Sequence, residues 1–212
     1  MSEHREEPAT ARTVVVYGDF NCPFSALANA RASRLAADGT MRIDWRCVEH
    51  DPTIGPDESP LTESQRADFV AELDQIRDLL TTDELDRFGV PSRRLNTRDL
   101  NVTHAATSPL DRQPLRTALF EAYWCDDLDL TDDAVVDGIV ASVAGADAAH
   151  AAAGRRPAVE RTVAGWQREW EDLPRRIVPM MVLPSGEVSR GLGVLARLAT
   201  GDISKPAPKL TG

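Results

Sequence analysis

Strand-forming sequence lies at the two ends of this chain and is missing from its middle, and that gap limits the fold more than any other feature. "TVVVYGDF" (13–20) is a β-branched run bounded by turn residues. "MRIDWRCVEH" (41–50) alternates Met41, Ile43, Trp45 and Cys47 with Arg42, Asp44 and Arg46, the period of a strand. From 51 to 150 nothing reads as a strand. The next candidate is "IVPMMVLPSGEVSRG", a strand, a Pro-Ser-Gly turn and a second strand, which predicts a β-hairpin.

Helical patterns fill the remainder. Residues 22–37 read as a helix with Pro23 in its first turn and Gly39 beyond its end, so the first three elements form a βαβ unit, parallel and right-handed. Residues 63–88 carry Phe69, Leu73, Ile76, Leu79 and Leu80 at helical spacing, and "GVPSRRL" ends that pattern. Residues 99–106, 112–124 and 132–143 predict three more helices joined by acidic linkers. A helix over 155–173, interrupted at Gly165, leads into the hairpin, and one over 193–201, ended by Gly201, closes the chain. The order β-α-β, helical block, α-β-β-α is the thioredoxin topology with a block inserted. The expectation is an α/β protein: a thioredoxin-like domain from 13–50 and 155–201, an all-helical insertion over 51–154, and flexible tails at 1–12 and 202–212.

Charge narrows the function. The chain has 212 residues and a formal net charge of −10, a surface that repels nucleic acid and anionic membranes. "MSEHREEPATAR" has no apolar core, and no apolar run reaches the roughly 20 residues that span a bilayer. A cytoplasmic location is expected. Positive charge is almost all Arg, alongside abundant Ala and Asp, a composition typical of a GC-rich bacterial genome. Cys22, Cys47 and Cys125 are odd in number and widely spaced, which predicts reduced thiols rather than a disulfide framework. No His/Cys spacing matches a zinc site, and His4 and His150 sit in a polar terminus and an Ala-rich stretch.

Cys22 stands where a buried strand meets a helix. Unpaired N–H groups and the helix dipole favour negative charge there, so the sequence predicts a lowered pKa and a reactive thiolate. Val178-Pro179 is the second candidate piece, because an X-Pro bond is the one kind for which cis is inexpensive. A cis bond would turn the Val178 backbone outward to meet an extended substrate. His50 follows the second strand near the same end of the sheet and is a candidate acid-base group, ahead of His104. Cys47 and Cys125 read as core or buried thiols, Phe24 as a shield over the sulfur, and Trp45, Trp124, Trp166 and Trp170 as packing anchors.

"VVVYGDFNCPFS", "RIDWRCVEHDP", "LRTALFEAYWCDDLDLTDDAVV" and "IVPMMVLPSGEVSRG" together resemble the DsbA-like thioredoxin superfamily over about residues 13 to 200. The branch they resemble contains FrnE-like oxidoreductases, kappa-class glutathione transferases and 2-hydroxychromene-2-carboxylate isomerases. The resemblance implies that Cys22 is the N-terminal active-site cysteine, a serine in the transferase and isomerase members. It implies that Pro23 and Phe24 are the intervening dipeptide, that Pro179 is the cis-proline, and that Asn101 and Thr103 start the helix facing the site, where capping is the first reading of Asn101. Ser25 departs from the pattern by standing where the oxidoreductases keep a resolving cysteine. The expected activity is thiol-disulfide exchange through Cys22, with Ser25 as the second catalytic residue through a hydroxyl hydrogen bond to the thiolate, and Pro23, Phe24, Val178, Pro179, Asn101 and His50 contacting substrate. No tightly bound cofactor or metal is expected, and glutathione or mycothiol is the candidate co-substrate. Two alternatives stay open: a kappa-like transferase or isomerase acting on a small hydrophobic substrate, and a non-catalytic protein-binding member. A homodimer is implied only by transferase-like relatives.

Overall fold

Alternation in the first strand decides which side of the sheet carries which layer. The computed structural model describes residues 12–55, 60–146 and 156–203. In β1 (Arg12–Gly18), Val14 and Val16 turn to one face and Val15 and Tyr17 to the other, as a period of two requires. β1 pairs in parallel with β2 (Met41–Cys47) across α1 (Pro23–Ala37). On its other edge β1 pairs antiparallel with β3 (Met180–Val182), which pairs antiparallel with β4 (Val188–Arg190), giving the order β2-β1-β3-β4. Gly186, at φ +83, makes the hairpin turn with its N–H on the Leu183 carbonyl, a conformation that costs glycine little.

The helical block follows β2 as α2 (Glu63–Leu79), α3 (Arg98–Ala106), α4 (Arg112–Trp124) and α5 (Asp133–Ala144). Then α6 (Arg156–Glu171) leads into the hairpin and α7 (Leu192–Thr200) closes the described chain. The larger apolar cluster joins the Val14 and Val16 face to α1, α7 and α2 to α5. The smaller gathers Tyr17, Cys22, Val48, Trp170, Val178 and Met180 on the opposite face, with Trp170 brought by α6. The sheet is therefore covered on both sides.

Several predicted boundaries move. The strand expected to reach Phe20 ends at Gly18, because the Cys22 N–H donates to the Asp19 carbonyl at 3.2 Å and closes a turn. The strand expected to reach His50 ends at Cys47, although Val48 N–H still donates to the Gly18 carbonyl. The helix expected to run to Phe88 stops at Leu79. Buried Arg31 of α1 takes up the Leu79 carbonyl at 2.7 Å and the Glu84 carboxylate at 2.6 and 2.7 Å, and these bonds hold the following segment in a loop. Gly165 does not interrupt α6, whose continuous span is anchored by Trp170. His4 and His150 lie outside the described residues.

Candidate active site

Cys22 is the N-cap residue of α1, with extended backbone angles and Pro23 next in the first turn. Two aromatic residues of α4 hold the loop that delivers it. Trp124 Nε1 donates to the Phe20 carbonyl at 2.8 Å, and the Tyr123 hydroxyl bridges the Arg93 carbonyl at 2.7 Å and the Asn21 side chain at 3.1 Å. The peptide bond between Val178 and Pro179 is cis, and the Val178 carbonyl accepts from Cys22 Sγ at 3.7 Å. The Val178 backbone thus faces the thiol. Ser25 Oγ accepts the Asp19 N–H at 3.3 Å, and Phe24 packs against both apolar clusters.

The lowered pKa expected at this helix start is not what the surroundings produce. Cys22 is only 8 % exposed, and burial pushes its thiol up to about 12. The Ser25 backbone N–H and hydroxyl pull it down, while the carboxylates of Asp19 and Glu72 push it further up. Burial wins because Cys22 packs in one apolar cluster with Trp170, Val178 and Phe24, and none of the largest influences on the thiol is a cation. The sequence shows the helix start but not this cover, since Val178 reaches the sulfur from 156 positions along the chain.

His50 is held by Asp19. The buried carboxylate accepts the His50 backbone N–H at 2.8 Å and faces Nδ1 at 2.6 Å through the same oxygen, while its other oxygen accepts the Asn21 N–H at 3.2 Å. A carboxylate can only accept here, so Nδ1 carries the proton and Nε2 is left free of hydrogen bonds among the described residues. Burial works against the His50 charge, but the bond to Asp19 and the charges of Asp19 and Asp51 outweigh it and raise the pKa above the ordinary histidine value. Nothing in the sequence singles out Asp19, whose partner lies 31 positions away.

His104 takes a different place. Its Nδ1 lies 3.3 Å from Cys47 Sγ inside the main core, and both residues are fully buried. Burial, with Arg116 and Arg112 adding to it, lowers His104 to about 3, and burial pushes Cys47 to about 12, so both are neutral. Asn101 is not a helix cap: the N-cap of α3 is Thr97, and Asn101 lies inside the helix, buried, with Oδ1 unpartnered among the described residues. It lines a groove of about 360 Å³ between α3 and α6 together with Arg98, Arg156 and Gln167. Cys125 caps the end of α4, half-buried, and all three cysteines are free thiols.

A parallel β-α-β unit, an antiparallel hairpin entered through a cis-proline, and a cysteine starting the first helix define a thioredoxin-fold protein with helices inserted after its second strand. The sequence matches the DSBA-like thioredoxin domain over residues 13–199, and the chain belongs to that family. No curated protein matches it in sequence. Among solved structures, a probable DsbA oxidoreductase from Streptomyces coelicolor is similar at a TM-score of 0.70 and 19% identity, covering 94% of each chain. The cytosolic disulfide reductase DsbM from Pseudomonas aeruginosa, determined with GSH, gives 0.66 at 16% identity, covering 89% of this chain and 95% of the other. A 2-hydroxychromene-2-carboxylate isomerase gives 0.62 at 20% identity, covering 89% and 91%. At these identities the likeness is one of fold. Among the described residues, no helix is long and apolar enough to cross a membrane.

Proposed function

We propose that this protein is a thiol-disulfide oxidoreductase that works through Cys22 alone and depends on a low-molecular-weight thiol, of the glutathione or mycothiol kind, to complete its cycle. One observation carries this reading: the Cys22 thiol lies 3.7 Å from the carbonyl preceding cis Pro179, with Ser25 in place of a second cysteine one helical turn on. In the first step the Cys22 thiolate attacks one sulfur of a substrate disulfide. The S–S bond breaks and the other sulfur departs as a thiolate. The external thiolate then attacks the substrate sulfur of the mixed disulfide and releases Cys22; the substrate leaves joined to the external thiol, and a second equivalent of that thiol frees it, so the substrate disulfide is reduced and two external thiols are oxidised to their disulfide. Cys47 cannot take that second role, since it is sealed in the other apolar cluster with His104. The Val178 backbone, Pro179, Pro23 and Phe24 would shape the approach of substrate, and a reducing cytoplasm would supply the thiol.

The upward shift of Cys22 favours a second reading. A thiol that stays neutral is a hydrogen-bond donor, and it would activate the sulfur of a bound thiol as in a transferase or isomerase without becoming oxidised. Intact mass after incubation with oxidised glutathione and with mycothiol disulfide separates the two. A one-to-one adduct that Cys22→Ser abolishes is the expected result. Reversible thiol binding with no adduct at any pH would replace the oxidoreductase reading by the second.

A further inference from the structure

An enzyme with one thiol draws its second thiol from outside the chain. In a dithiol site the resolving sulfur belongs to the chain, and the chain tunes it. With Ser25 at that position, the incoming thiol arrives protonated at neutral pH, since a free thiol has a pKa of about 8.5. A group at the site that takes its proton would speed the step beyond what the small thiolate fraction allows.

The carboxyl ends of β1 and β2 hold one group built for this. Asp19 is the node. Its carbonyl accepts the Cys22 N–H at 3.2 Å, its N–H donates to Ser25 Oγ at 3.3 Å, and its carboxylate holds both the backbone N–H and Nδ1 of His50. β2 lies in register beside β1 up to the pair Gly18 and Cys47, so His50 leaves the sheet next to the turn that carries Cys22. Asp19 is 2 % exposed, whereas the His50 side chain is 31 % exposed and its Nε2 has no hydrogen bond among the described residues. Three further groups bear on the imidazole: Glu72 of α2, whose carboxylate also acts on Cys22, Asp51, and Arg94, which is paired with Asp51 at 2.8 Å. Glu72 and Arg94 line a depression of about 420 Å³ along α2.

We propose that Asp19 and His50 form a proton-transfer dyad for the Cys22 site, with His50 Nε2 as the general base for the incoming low-molecular-weight thiol and Asp19 as its positioning residue. The step rests on the single-cysteine reading above and balances within it. His50 Nε2 takes the proton of the incoming thiol, whose sulfur forms a bond to the substrate sulfur of the mixed disulfide. The bond from that sulfur to Cys22 breaks, and the imidazolium returns the proton to the departing Cys22 thiolate. This return suits a buried sulfur whose surroundings favour the neutral thiol. His50 is available as a base only when neutral. Held above the ordinary histidine value by Asp19, it makes the release rate climb with pH through its titration and then level off.

The test uses the full chain carrying a preformed Cys22 adduct made with an activated glutathionyl disulfide, and follows its release by reduced glutathione from about pH 5.5 to 8.5, the range in which histidine and thiol titrate. His50→Gln keeps a side-chain donor toward Asp19. It should slow release about 100-fold near neutral pH, and its profile should follow only the thiolate fraction of free glutathione, rising about tenfold per pH unit. In His50→Ala, added imidazole should restore part of the rate, which a merely structural role would not allow. Unchanged release and an unchanged profile in a folded His50→Gln protein would overturn the dyad while leaving the single-cysteine reading in place. Failure of the wild-type protein to form the adduct at all would remove both.

Discussion

Two cysteines near the carboxyl ends of neighbouring parallel strands, one linked to a histidine through Asp19 and the other touching one, have become different things. Cys22 follows β1 and shares the node Asp19 with His50; Cys47 ends β2 and touches His104 directly at 3.3 Å. Burial pushes both thiols to about 12, so the thiol does not distinguish them. The histidines do. His50 has a buried carboxylate on one nitrogen and keeps the other open, and its pKa is raised. His104 has no carboxylate partner among the described residues, sits edge-on to Phe20 and falls to about 3. A Cys and a His in contact are a piece of core unless an acidic partner orients the ring and an opening lets a third molecule in.

That contrast breaks most completely by removing each sulfur in turn. Cys22→Ser should abolish the one-to-one adduct with oxidised glutathione, while Cys47→Ala should leave its yield unchanged, as read by intact mass. In the native protein Cys47 should resist alkylation until denaturant opens the core; labelling of Cys47 as fast as Cys22 would mean that the two are not distinct. Ser25→Cys sharpens the comparison from the other side. A thiol at that position should attack the mixed disulfide from within the chain. The stable adduct should then give way to an intramolecular disulfide between Cys22 and the introduced sulfur, about two mass units below the reduced protein. A persistent adduct in that variant would show that α1 holds the second sulfur out of reach.

Smaller effects fall on stability. Gly18 pairs with Cys47, and a Cβ there would lie 2.3 Å from the Trp45 ring, so Gly18→Ala should lower stability by up to about 3 kcal/mol in urea unfolding. The two histidines should also bend stability with pH in opposite senses. His104 is depressed from 6.5 to about 3, so the stability it allows is present above about 6.5 and is lost as pH falls toward 3. Between about pH 7 and 5 the wild type should therefore lose about 2 kcal/mol more than His104→Asn. His50 is raised, so its contribution is complete below the ordinary value and is lost as pH rises through the folded one. His50→Gln should remove that alkaline loss.

Local pattern makes the frame legible. The period-two runs, the helix signals around Pro23 and Gly201, and the strandless middle lead to the observed order of elements and to the family. Pro179 points to the cis bond beside Cys22. The electrostatics are not legible, because they are set by groups far apart in the chain. The cover over Cys22 comes from Trp170 and Val178, the tautomer of His50 from Asp19, and the seal on Cys47 from α3. Helix ends mislead for the same reason: Leu79 looks like the middle of an apolar stripe, and only the Arg31 guanidinium, arriving from α1, takes up its carbonyl.

The grip of Tyr123 and Trp124 on the Phe20–Asn21 loop bears on how such a chain can be rebuilt. The loop that carries Cys22 is shaped from α4 as much as from the strand before it, so the inserted block is no interchangeable lid. A graft that gave this sheet the helices of a relative would have to bring its own two hydrogen-bonding aromatics to the same loop, or the sulfur would lose its place before any substrate arrived.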